Sequence, residues 1–190
     1  MQTTEAPVHS TYTETTWHAL VPRLLSEHGS KSVAEVGVWR GKLSNRILQE
    51  CPQVNRLTLV DSWSPVYTND PIHGWMVFGP GTDNAEMDDA YQCVVNKMAP
   101  YGPKVTVLRM PSVEGAKHVP DGSLDAVIID ALHTYHACLE DILAWRPKLR
   151  PGGLMIGDDY GEWFPGVQIA VEEVFGAQHR VLGQTWWKIL

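Results

Sequence analysis

The chain predicts an α/β fold: a doubly wound, mostly parallel sheet with helices on both faces and a C-terminal antiparallel hairpin. Three observations predict it. Strand-like and helix-like runs alternate five times along the sequence, which argues for a parallel sheet covered on both sides. The first strand-like run breaks at two glycines, Gly37 and Gly41, as a strand does when its turn must pass close to something. Carboxylates close several strands, and in such sheets ligands bind beyond the carboxyl ends of the strands.

At 190 residues the chain is long enough for one domain with a substantial core. A polar arm over residues 1–12 precedes a single domain at 13–190. The first helix is expected over 13–27, with Trp17, Leu20, Val21, Leu24 and Leu25 at helical spacing, Pro22 as a kink and Gly29 as the stop. The opening strand follows at 33–37, then a helix over 42–50 closed by Cys51-Pro52. The second strand, 57–61, ends on Asp61. Residues 62–89 have no steady period and hold Trp63, Tyr67, Trp75 and Phe78. A segment of that length in a compact domain is usually a binding segment, and its aromatics predict a lid. A helix over 88–98, a strand over 105–109 and a short helix over 113–118 come next. The fourth strand, 124–130, ends on Asp130 and leads to a helix over 136–145. A turn at 150–153 precedes the fifth strand, 154–157, which ends at Asp158-Asp159. A helix over 167–175 and a hairpin over 180–190 finish the chain, with Trp186 and Trp187 in the hairpin core.

Composition narrows the function. A net charge of −7 without a Lys/Arg cluster argues against nucleic acid and anionic membranes as partners. No apolar run approaches the ~20 residues that cross a bilayer. Three cysteines without C-x-x-C spacing suit reduced thiols. Met1 to Ser10 show no basic-then-apolar leader, so a cytoplasmic protein is expected.

The first constellation is Glu35, Gly37 and Gly41 with Asp61. An acid closing the second strand is placed to accept hydrogen bonds from both hydroxyls of a ribose. The spacing Gly-x-x-x-Gly lacks the glycines that approach a pyrophosphate in a dinucleotide fingerprint, so a cofactor without phosphates suits it better. On these residues, and on the turn Arg150-Pro-Gly-Gly153, the sequence resembles the class I S-adenosylmethionine-dependent methyltransferases from about residue 30 to 190. The resemblance implies a Rossmann-like, seven-stranded sheet. It implies that Asp61 holds the donor's ribose, with Ser62 and Trp63 following it, and that the turn through Val38 and Trp39 faces the methionine part. It also implies that Ser112 and Val113 border the adenine.

The second constellation is Asp130-Ala-Leu-His133 with Asp158-Asp159. Three carboxylates ending neighbouring strands repel one another unless a cation neutralises them, and oxygen ligands select a hard ion such as Mg²⁺. This pattern resembles the metal-dependent O-methyltransferases, and within them the macrocin-type enzymes that methylate sugar hydroxyls. The resemblance implies Asp130, Asp158 and Asp159 as metal ligands and His133 as the base. The expected acceptor is a small molecule or sugar bearing a hydroxyl, with a vicinal diol chelating best. Other readings stay open at this stage: Asp130 binding only the donor's amino group in a metal-free methyltransferase, an iron site of Asp130, His133 and His136, and a non-catalytic or NAD-binding Rossmann-type protein. A homo-oligomer is compatible with all of them.

Overall fold

The computed structural model describes residues 15–65 and 83–190. Seven strands form one sheet: β1 (Ser32–Val36), β2 (Arg56–Asp61), β3 (Val105–Arg109), β4 (Leu124–Ile129), β5 (Leu149–Gly157), β6 (Arg180–Leu182) and β7 (Thr185–Ile189). Their order is β3-β2-β1-β4-β5-β7-β6. Pairings among the first five are parallel, and β7 runs antiparallel to both β5 and β6. This is the expected Rossmann-like sheet with its C-terminal hairpin. The strand order reverses at β1, with β2 on one side and β4 on the other, and that reversal opens a crevice at the strands' carboxyl ends.

Helices α1 (Thr15–His28), α2 (Lys42–Glu50) and α3 (Asn84–Met98) cover one face, and α4 (Ser112–Lys117), α5 (Tyr135–Trp145) and α6 (Pro165–Phe175) the other. The period of two along each strand sorts the side chains. Val33, Leu57 and Leu59 pack with Leu24, Ile47 and Val94, whereas Ala34, Val60 and Val127 pack with Ala116, Ile142 and Val171. Trp186 joins the second cluster and Trp187 packs against the first. A side chain at Gly157 would collide with the Trp186 indole, which is why the last core strand ends on a glycine.

Two boundaries differ from the sequence expectation. The helix expected from residue 88 begins at Asn84, because the Asp83 carboxylate accepts the Glu86 amide at 2.9 Å and caps it. The turn expected at 150–153 lies inside β5 as a bulge: Leu124 pairs with Leu149 while Ala126 pairs with Leu154. The arm at 1–12 and the lid aromatics Tyr67, Trp75 and Phe78 lie outside the described residues. Among the described residues no helix is long and apolar enough to cross a membrane. Cys51, Cys93 and Cys138 are free thiols.

Candidate active site

The rim of the crevice is built on a close approach between two loops. Gly37 follows β1 with φ +84°, and a Cβ there would be driven into the Asp130 carbonyl and come within 2.8 Å of the Ala131 Cα. The glycine is therefore demanded first by the chain itself, since the loop leaving β4 lies directly on the loop leaving β1. Its amide donates to the Val60 carbonyl at 2.9 Å and the Asp130 amide donates to the Val36 carbonyl at 2.8 Å. These bonds draw the ends of β1, β2 and β4 together.

Asp61 ties the next loop in. Its Oδ2 accepts the amides of Val38 and Trp39, and its Oδ1 that of Trp63, each at 2.9 Å. The Trp63 indole then donates to the Trp39 carbonyl at 2.7 Å. Trp39, Trp63 and Asp159 have φ of 51°, 40° and 59°, left-handed values that cost a side-chain-bearing residue about 1–3 kcal/mol each. Among the described residues these are the non-glycine residues with positive φ, and all three stand on this rim. A carboxylate has about four lone-pair sites, so three amides leave Asp61 capacity for a ligand hydroxyl.

A cavity of about 370 Å³ opens here, within the range that takes small ligands. Of the residues expected to bind the donor, Gly37, Trp39, Asp61, Ser62, Ser112, Val113 and Asp130 line it. Glu35, Val38, Gly41 and Trp63 do not. Glu35 precedes the end of β1 by one residue, so the strand's alternation turns it toward α2, where the Ser44 hydroxyl donates to it at 2.6 Å. Val38 and Trp63 are buried in the core, and Gly41 starts α2 in a left-handed conformation. These four shape the rim from behind. The cavity also takes in Met87 from α3, Leu132, and Ala137, Glu140 and Asp141 from α5, which the sequence reading missed. A signal was present for Asp141: it falls on the apolar stripe Cys138, Ile142 and Trp145, where an acid is out of place. Asp61, Asp130, Glu140 and Asp141 give the lining four carboxyl groups. Such a cavity suits a cationic ligand and disfavours a pyrophosphate, which weighs against NAD.

Burial pushes the Glu35 carboxyl up to about 8; Ser44 opposes the shift, and Asp130 and Asp61 add to it. The folded state thus keeps a proton that the unfolded chain releases near 4.5. The stability tied to Glu35 is full below that value and falls as pH rises toward 8. Glu35→Gln is expected to raise the thermal midpoint more at pH 8.5 than at pH 5, by a few degrees given about 2–4 °C per kcal/mol for a chain of this size. Equal shifts at both pH values in a melting experiment would contradict this account.

Beside the cavity, ligand atoms of Asp130, His133 and Asp159 lie within 4.8 Å of one another. His133 Nε2 is 3.0 Å from Asp159 Oδ2 and 3.4 Å from Asp130 Oδ1, and its ring packs edge-on against Phe164. Burial pulls the imidazole's pKa down, but the hydrogen bonds and charges of Asp130 and Asp159 outweigh it and hold the pKa at about 10. At neutral pH the imidazolium therefore bridges the two carboxylates. Asp158, expected among the ligands, is not part of this group, and His133, expected as the base, is. Burial, then the charges of Asp130 and Asp159, push Asp158 up to about 8, the direction expected when acids crowd together. A divalent cation fits a site of two converging carboxylates whose charge is otherwise balanced by a proton. His136 packs on Tyr135 and stands outside the group, which leaves the iron reading without geometric support. Tyr135 and Tyr160 donate their hydroxyls to Glu173 and Glu172.

The family described as "Methyltransferase domain" matches residues 34–160. Among curated proteins none matches the chain by sequence. The fold is similar to that of a protein assigned as a caffeoyl-CoA O-methyltransferase from Staphylococcus aureus, at 15% identity and a TM-score of 0.64, over 90% of this chain and 80% of that one. It is also similar to an assigned O-methyltransferase from Klebsiella pneumoniae (17% identity, TM-score 0.63, 96% and 83% covered). The calicheamicin methyltransferase CalS11 superposes with a TM-score of 0.69 at 15% identity, with 93% and 80% covered.

Proposed function

The chain belongs to the methyltransferase domain family and is an S-adenosylmethionine-dependent methyltransferase; from that premise we propose that its acceptor is a hydroxyl of a small molecule or sugar, methylated with the help of Mg²⁺. The observation that carries the proposal is the double position of Asp130. It lines the donor cavity and, through His133, belongs to the acidic cluster beside it, so a donor methyl and an acceptor oxygen would meet at this residue. That the structural neighbours are named O-methyltransferases supports the choice of oxygen.

Asp61 would hold the donor's ribose hydroxyls, and the Gly37–Trp39 turn its methionine part. The donor supplies an electrophilic methyl on a sulfonium, and the acidic lining favours that positive charge. Asp130 and Asp159, with Asp158 behind them, would hold Mg²⁺, which when bound lowers the pKa of an alcohol. His133 Nε2 is the proton acceptor. It can act only from its neutral form, and that form is favoured once the two carboxylates are balanced by something other than its proton. Two adjacent hydroxyls would chelate best, hence the vicinal diol.

Chelation with EDTA is expected to stop methyl transfer to a panel of diols and sugars while S-adenosylhomocysteine still binds in a calorimetric titration. A second reading has its own observation: the His133 imidazolium already balances Asp130 and Asp159, as a metal-independent methyltransferase would need. Transfer that is unchanged by EDTA and by added Mg²⁺ would select that reading.

A further inference from the structure

We propose that Arg109 is a positioning residue for the methyl donor: from outside the cavity it holds the Trp63 turn, and through that turn the Asp61 carboxylate, in the shape the donor binds. The inference rests on the donor reading above and extends it to a residue that is not part of the cavity wall.

Arg109 ends β3 and stands in register beside Asp61, the last residue of β2. It is absent from the cavity lining. Its Nη2 donates to the Trp63 carbonyl at 2.9 Å and to Asp88 Oδ1 on α3. Its guanidinium also lies over the Tyr91 ring, 4.8 Å from the centroid, and that ring packs against Trp63 with centroids 5.1 Å apart. A planar guanidinium can serve all three because its donors lie in the plane and its face is left for the ring. The three contacts differ in weight. The Asp88 side chain is 63% exposed, and an ion pair so open to water contributes little. Trp63, by contrast, is buried, so its carbonyl bond is the one with structural consequence.

What that bond holds is a strained turn. Trp63 has a φ of 40°, and a side-chain-bearing residue stays in that region only where its surroundings over-determine it. The amide donates to Asp61 Oδ1, the indole donates to the Trp39 carbonyl, and the Trp63 carbonyl accepts from Arg109. The first two bonds run between residues of the rim itself. Of the three, the Arg109 bond is the one anchored elsewhere, on β3 and against α3. Without it the turn can relax, which withdraws the Trp63 amide from Asp61 and lets the carboxylate rotate away from a ribose. A donor must then restore the turn as it binds, so its apparent affinity falls with the fraction of molecules that keep the turn in place. Once bound, the donor holds the turn itself.

The test titrates the full chain with S-adenosylhomocysteine in a calorimeter and follows hydrogen exchange at the Trp63 amide with and without that ligand. Arg109→Met, which keeps the stem and removes the donors, is expected to weaken binding by about tenfold, the scale of one hydrogen bond from a charged donor, at unchanged stoichiometry. Its Trp63 amide should exchange faster than in the wild type when free and at the wild-type rate when saturated. Arg109→Lys keeps a charged donor for the carbonyl and should recover most of the affinity. Asp88→Asn, which removes only the exposed ion pair, should cost less than about threefold. If the methionine variant does not fold, Arg109→Gln, with an uncharged donor, carries the same comparison. A residue that merely supported the fold would lower the number of sites per chain and leave the affinity of the folded fraction unchanged, and that result overturns the assignment. So does wild-type exchange at Trp63 in the free methionine variant, a lysine variant no better than it, or an equal loss in Asp88→Asn. A wild type that does not bind S-adenosylhomocysteine would overturn the donor reading itself, an outcome distinct from these.

Discussion

Replacing His133 by alanine is expected to lower methyl-transfer turnover by roughly 10²–10⁴-fold, the range contributed by a positioned proton acceptor, while S-adenosylhomocysteine affinity changes little. The split follows from where the side chain stands. His133 is absent from the cavity lining and meets the donor site only through Asp130, whose Oδ1 is 3.4 Å from Nε2. Its removal takes away a proton acceptor and leaves Asp61, Gly37 and Ser112 in place. It also leaves Asp130 and Asp159 without the imidazolium that bridges them, so Mg²⁺ should raise the thermal midpoint of the variant more than that of the wild type. Stopped-assay kinetics and titration on the same preparation measure the two quantities. Parallel losses of turnover and donor affinity would mean that the histidine merely braces Asp130, and the proposed proton transfer would fail.

Replacing Gly37 by alanine is expected to destabilise the chain by about 3 kcal/mol or more, with a thermal midpoint roughly 10 °C lower, and to abolish measurable donor binding. The φ of +84° is itself unfavourable for a residue with a Cβ, but the larger effect is steric. The added methyl would meet the Asp130 carbonyl, which is backbone and cannot rotate away. Either the β4 loop moves, taking Asp130 off the rim, or β1 loses its bond from the Asp130 amide to the Val36 carbonyl. Gly41→Ala is the contrast. Its Cβ would meet Val94 Cγ2 at 3.2 Å and the Met98 Cε at 3.5 Å, side-chain ends that can shift, so its effect on the donor site should be much smaller. Denaturation curves together with a donor-product titration distinguish the two glycines, and similar losses at both would sink the steric account.

The elements most legible in the sequence were those whose pattern is local. Alternating strands and helices with a Pro-Gly-Gly interruption give the sheet, and the interruption was visible even though its form, a bulge within β5, was not. The early start of α3 depended on the Asp83 cap, which lay within a segment without a regular period. The shared cavity rim of Gly37, Asp61 and Asp130 was legible because they stand at the ends of parallel strands, and such ends share one edge. Glu35 is absent from the cavity lining for a related reason: one residue before a strand end, alternation sends its side chain to the sheet's face, against Ser44, instead of its rim.

Sequence alone determined the fold class and the sheet edge on which the cavity opens, with several acids along it. Those properties are set by periodicity and by the rule that parallel strands end together. Only the tertiary structure decided that His133 lies between Asp130 and Asp159, that Asp158 is left out of that trio of converging ligand atoms although their charges act on it, and that Asp141 opens on the cavity from a helix far along the chain. Side-chain direction within a loop, and contacts between helices α4 and α5, depend on packing across elements, and no spacing along one strand or helix encodes them.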